Sequence, residues 1–139
     1  MFVIERLAAA AAIFVAAHFA MGFINPSAGG SRGALLFPYG SDAGSSWPFG
    51  SLDAGPLVVL IPAMIGLAGI AVLALFLGFW ASLGLGVPAD LWRPLVLVGV
   101  ACSTVLLVLH PSVWIVLPLA LNLGLAWVAW TSAWSPAAA

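Results

Sequence analysis

Four stretches of this chain run for, or close to, the length of a membrane-spanning helix without one charged side chain. They cover residues 7–24, 57–83, 95–109 and 113–134. Crossing about 30 Å of hydrocarbon takes roughly 20 apolar residues in a helix. The third stretch is short, and it extends to 92–110 when Trp92 and Arg93 lie in the interface. Pro94 then falls in the first turn, where its missing N–H loses no bond. A charge at the bilayer centre costs about 3 kcal/mol even on the lenient insertion scale. Its absence from four windows therefore constrains the fold more than any motif does.

Only 5% of the 139 residues are charged, and 65% are hydrophobic. Soluble domains carry about a quarter charged residues, and a soluble fold with this composition would expose apolar surface and aggregate. The charges are Glu5, Arg6, Arg32, Asp42, Asp53, Asp90 and Arg93, with no lysine. No basic patch exists for nucleic acid. The single cysteine, Cys102, excludes an internal disulfide and a cysteine-rich metal site, and reads as a small packing residue. The sequence thus predicts an all-α integral membrane protein, with four transmembrane helices in a compact bundle. Residues 1–139 form one domain, and a long extracytoplasmic loop over 25–56 joins the first two helices. The first window has some features of a signal peptide: Arg6, an apolar run, then Ala20 and Gly22. Glu5 cancels the leading charge and no good cleavage triplet follows, so a retained helix is expected.

With four crossings both ends share a side, as does the link between the second and third helices. Arg6 and Arg93 lie on that side and Arg32 on the other. The positive-inside rule then places the termini in the cytoplasm of a cell inner or plasma membrane. Trp80, Trp92, Trp114, Trp127, Trp130 and Trp134 fall toward helix ends, as interfacial rings do. Trp127, Trp130 and Trp134 share a face that reads as a lipid anchor or as a subunit contact. The loop carries Phe37, Tyr39, Trp47 and Phe49. It is either an interfacial segment or a lid and docking surface.

Close backbone approach drives helix packing in membranes. Ala8, Ala12, Ala16 and Ala20 suggest one smooth ridge, and Ala74, Gly78 and Ser82 another. Pro62 and Pro118 mark a regular turn's end or a modest kink near their helix ends. Asn122 and the pair Ser103–Thr104 stand midway along antiparallel neighbours, so a bond across the interface is expected. Glu5 and Asp90 precede helices whose N-termini favour an acid, and Asp90 is the expected cap of the third.

No nucleophile motif, phosphate loop or zinc spacing is present, so no catalytic residue and no metal ligand is assigned. His18 and His110 are the candidates for cofactor binding. They fall in the same leaflet, roughly 8 Å apart in depth, which does not match the facing imidazoles of a metal or haem site. His110 reads most simply as a helix-end residue. His18 needs a partner for its N–H, either a structural hydrogen bond or a quinone, lipid headgroup or proton.

Glu5-Arg6-Leu7 leading into the first helix, the long loop after it, and Gly66, Gly69 and Gly84 resemble the DoxX-like group of small four-helix membrane proteins. The resemblance implies a membrane subunit associated with quinone-linked redox systems. The chain departs from that group in having no acidic residue between Gly66 and Gly78. Three functions follow as expectations. The first is a structural or accessory subunit of a larger membrane complex, in contact with other integral subunits, with its own copies and with lipid. The second is a quinone- or lipid-binding subunit of a redox enzyme, and the third a small transporter or channel. No catalysis by the chain alone and no cofactor are expected, with room left for a bound lipid or quinone. Labelling single cysteines near Met1 and Ser135 from each side of the membrane tests the topology. Both should react from the same side, and opposite sides would exclude four crossings.

Overall fold

The computed structural model describes residues 2–21, 60–109 and 116–131. These form four helices: α1 (Phe2–Met21), α2 (Leu60–Leu83), α3 (Trp92–Leu109) and α4 (Val116–Thr131). Three of them, α1, α2 and α3, are long and apolar enough to cross a membrane. The 16 residues of α4 span about 24 Å at 1.5 Å per residue. The loop over 25–56, His110, Trp114 and Trp134 lie outside the described residues.

The boundaries follow local chemistry. α1 starts at Phe2, five residues before the expected Leu7, because Glu5 and Arg6 are good helix formers and Glu5 suits the first turn. Pro62, Pro94 and Pro118 each occupy the third position of their helix. There the N–H has no intrahelical partner to lose. Pro62 and Pro118 therefore open helices and kink neither. At the other end of α2, Gly84 takes φ +71°. Its N–H donates to the Ala81 carbonyl and the Leu85 N–H to that of Trp80. This pair of bonds around a left-handed glycine is the Schellman stop. A 3₁₀ turn, Ala89–Leu91, then leads into α3. Asp90 lies exposed within that turn and does not cap α3 as expected. The N-cap position of the turn belongs to Pro88, which makes no side-chain capping bond.

Successive helices run antiparallel. Phe14 meets Phe76 and Phe79, with ring centroids 5.9 and 5.7 Å away, while Phe19 packs with Met64 and Leu67 nearer the other end. α2 and α3 share the most extensive interface, followed by α1 with α2 and then α3 with α4. α1 and α4 meet over a short stretch only.

Small residues set the α2–α3 spacing. A Cβ on Gly99 would stand 2.5 Å from Leu75 Cγ and 3.2 Å from the Ala71 carbonyl oxygen. One on Gly78 would stand 3.0 Å from Val96 Cγ2. Ala74, Gly78 and Ser82 are buried as the sequence suggests. The ridge of α1 differs: Ala10, Ile13, Ala16, Ala17 and Ala20 are buried, whereas Ala8 is exposed and Ala12 half-buried. A strict four-residue series drifts around a helix of 3.6 residues per turn, so steps of three and four follow the face and steps of four leave it.

Trp92 departs furthest from expectation. It is 1% exposed, a core residue packed with Val96, Leu125 and Ala129 and not an interfacial ring. A smaller cluster of Ala68, Leu106 and Leu107 closes the opposite end.

Gly99→Ala should destabilise the bundle by about 1–3 kcal/mol, the usual range for overpacking, in unfolding titrations from mild to denaturing detergent. Gly66→Ala is the control. No described neighbour lies within 4 Å of a Cβ there, so its stability should be unchanged or raised.

Candidate functional site

Two polar contacts tie α4 to α3. Midway along the helices, Asn122 Nδ2 donates to Ser103 Oγ at 3.0 Å and to Thr104 Oγ1 at 3.3 Å. Asn122 and Ser103 are both buried. Matched depth on antiparallel helices predicts this contact. An amide in hydrocarbon must find partners within the protein, and both hydroxyls stand where α4 presents it. The second contact has no counterpart in the sequence reading. Arg93 Nε donates to the Ala129 carbonyl at 2.9 Å, and Arg93 Nη2 to that of Trp130 at 3.4 Å. These carbonyls belong to the last described turn of α4. A guanidinium also suits the negative end of the helix dipole. Arg93 thus fastens the start of α3 to the end of α4.

Beside that clasp an apolar groove of about 300 Å³ lies between α1 and α4. Ala9, Ala12 and Ile13 form one wall, Ala120, Gly124 and Leu125 the other, and Trp92 lines its base. The groove exists because its walls are short: no described atom lies within 4 Å of a Cβ built on Gly124. A more open apolar recess of about 370 Å³ lies on the other side of α1, between Leu7, Phe14, Phe79 and Leu83.

The anticipated ligand-binding residues are not brought together. His18 is half-buried in the last turn of α1. It lies five residues beyond Ile13, about 7.5 Å further along the helix than the groove. His110 is outside the described residues, so its distance from His18 is not defined. Cys102 is a free, half-buried thiol on α3. Among the described residues no group of three metal-ligating side chains assembles.

Sequence reasoning missed the groove, and one signal for it was available. Ala120 and Gly124 are four apart and so share a face of α4. Trp92 and Arg93 carried no local signal. Their roles come from antiparallel packing, which sets the start of α3 beside the end of α4. No family model, curated protein or solved structure matches the chain.

The Asn122 contact is measurable by a double-mutant cycle with Asn122→Leu and Ser103→Ala. Coupling of about 0.6 kcal/mol, and below about 2 kcal/mol, is expected for a hydrogen bond between membrane helices. Zero coupling in a detergent unfolding titration would remove the bond from the account.

Proposed function

We propose that the chain crosses the membrane four times and serves as a structural or accessory subunit of a larger membrane complex, its termini in the cytoplasm. The carrying observation is the unequal use of its small residues. Gly78 and Gly99 bring α2 against α3, whereas Gly66 and Gly69 face α2's outer surface with no described neighbour within 4 Å of a Cβ. Glycine on such a helix face lowers helix propensity and makes no close packing contact among the described residues. A second helix seated there would use it, because membrane interfaces favour small residues that let backbones approach.

The exposed rings of α4 support the same reading. Trp127 is 69% and Trp130 77% exposed, on the face that also carries Leu123. Buried aromatic residues anchor protein contacts, and a pair on an outward face suits a neighbouring subunit. The polar side chains of α3 and α4 are meanwhile engaged with one another at Asn122, Ser103 and Thr104, which favours a scaffold over a conducting path. The resemblance to DoxX-like proteins would make a quinone-linked redox assembly the parent complex.

The α1–α4 groove favours the second reading, a lipid- or quinone-binding subunit. Its walls are apolar and open laterally toward the position a bilayer would occupy.

Extraction from native membranes in mild detergent, followed by mass measurement of the intact particle, tests the accessory role. A particle containing further polypeptides or several copies is expected. A persistent monomer, under conditions that keep other membrane complexes intact, would refute it.

A further inference from the structure

Among the described residues the charges near the groove between α1 and α4 gather at one end, and their signs indicate what fills it. From Ala120 to Val128 its α4 wall is about 12 Å long. The groove holds about 300 Å³ along that length, and its apolar walls suit a hydrocarbon chain lying along α4.

Four charged residues, Glu5, Arg6, Asp90 and Arg93, belong to the helix ends and turn at its Trp92 end. Glu5 precedes Ala9 by four residues and Ala12 by seven, so it shares their face of α1, and it is exposed. Arg6 precedes Ala9 by three and Ile13 by seven, and it is half-buried. Arg93 adjoins Trp92 and reaches Ala129 and Trp130, the residues next past the lining residue Val128. A guanidinium has more N–H donors than two carbonyls consume. Asp90 is exposed in the turn before Trp92. The N-termini of α1 and α3 share this end with the C-termini of α2 and α4, so the helix-end partial charges largely offset one another.

We propose that the groove seats one acyl chain of a phospholipid whose headgroup carries both a phosphate and a primary ammonium. The phosphate lies toward Arg6 and Arg93, and the ammonium toward Glu5. Guanidinium groups match phosphate oxygens in geometry and charge. An anionic headgroup such as phosphatidylglycerol's offers the Glu5 carboxylate hydroxyl donors and no cation. A quaternary ammonium has no N–H to donate to that carboxylate. A quinone headgroup supplies carbonyl acceptors for arginine and no cation for Glu5. This assignment rests on the lipid-binding reading above and narrows it to one headgroup class.

The test uses the full-length chain, delipidated in detergent and offered equal amounts of phosphatidylethanolamine, phosphatidylglycerol and phosphatidylcholine. Retained lipid is counted by native mass spectrometry. Phosphatidylethanolamine should be favoured over phosphatidylcholine by about fivefold, the size of one hydrogen bond to a carboxylate at an exposed site. Glu5→Gln should erase that preference, while Arg6→Gln should lower retention of all three lipids. Gly124→Leu, whose side chain enters open space, should fill the groove, abolish retention and leave the unfolding midpoint in place. Equal retention of the three lipids by the wild-type chain would overturn the proposal. So would undiminished retention by Gly124→Leu, or an intact preference in Glu5→Gln. Particle mass measured on the native extract reports separately on the accessory-subunit reading. A multisubunit particle without lipid preference would sink this site alone, and a monomer that keeps the preference would sink the subunit role alone.

Discussion

At Gly99 the backbone of α3 comes so near to Leu75 and the Ala71 carbonyl that no side chain fits between them. The placement of the other helices depends on that contact. In a bilayer, apolar side chains gain little by leaving lipid for protein, so helix association rests on close packing and on polar bonds. Fixing α2 against α3 puts Trp92 and Val96 where α1 and α4 both reach them, and the main core cluster draws residues from all four helices. The Schellman stop at Gly84 and the 3₁₀ turn at Ala89–Leu91 make the short reversal this pairing requires. The α2–α3 hairpin is accordingly the frame, with α1 packed against α2 and α4 against α3.

The attachment of α4 relies more on polar groups. It packs less extensively on α3 than α1 does on α2, and it carries the two contacts that fix its position. Asn122 sets its depth midway along α3, and Arg93 holds its last turn. One contact lies in the interior and the other at an end, so sliding α4 along α3 by a turn would break both. The worth of each in free energy is modest, and their joint effect is registration. A loosely packed helix with a fixed register explains how a groove persists beside α1 without the bundle closing over it.

How far the sequence revealed this structure differs from element to element. The helices were legible because uncharged runs leave few alternatives in hydrocarbon, and the stops at Leu83 and Leu109 fell close to their expected places. Asn122 with Ser103 and Thr104 was legible because depth follows from counting residues along antiparallel helices. Trp92 was misread because position near a helix end says nothing about the direction a ring faces. In this chain it faces a cavity that alanine and glycine on two other helices leave unfilled. The alanine ridge of α1 was misjudged for a related reason. So many alanines sit in α1 that spacing alone cannot select the buried ones, and Ile13, the one large residue among them, marks the true face.

The same residue type plays opposite parts on different faces, and this connects fold to function. The described residues fill the space at Gly78 and Gly99, whereas none of them comes within 4 Å of a Cβ at Gly66, Gly69 or Gly124. A bundle stabilised only for its own sake would gain from alanine or leucine at the open positions, since each improves on glycine in a helix. Keeping glycine there makes sense when something outside the chain approaches the backbone. The surroundings of each position then separate the occupants. Among the described residues no helix covers Gly66, whereas the Gly124 groove is walled by α1. Protein contact on one side and lipid contact on the other are therefore compatible within one small bundle.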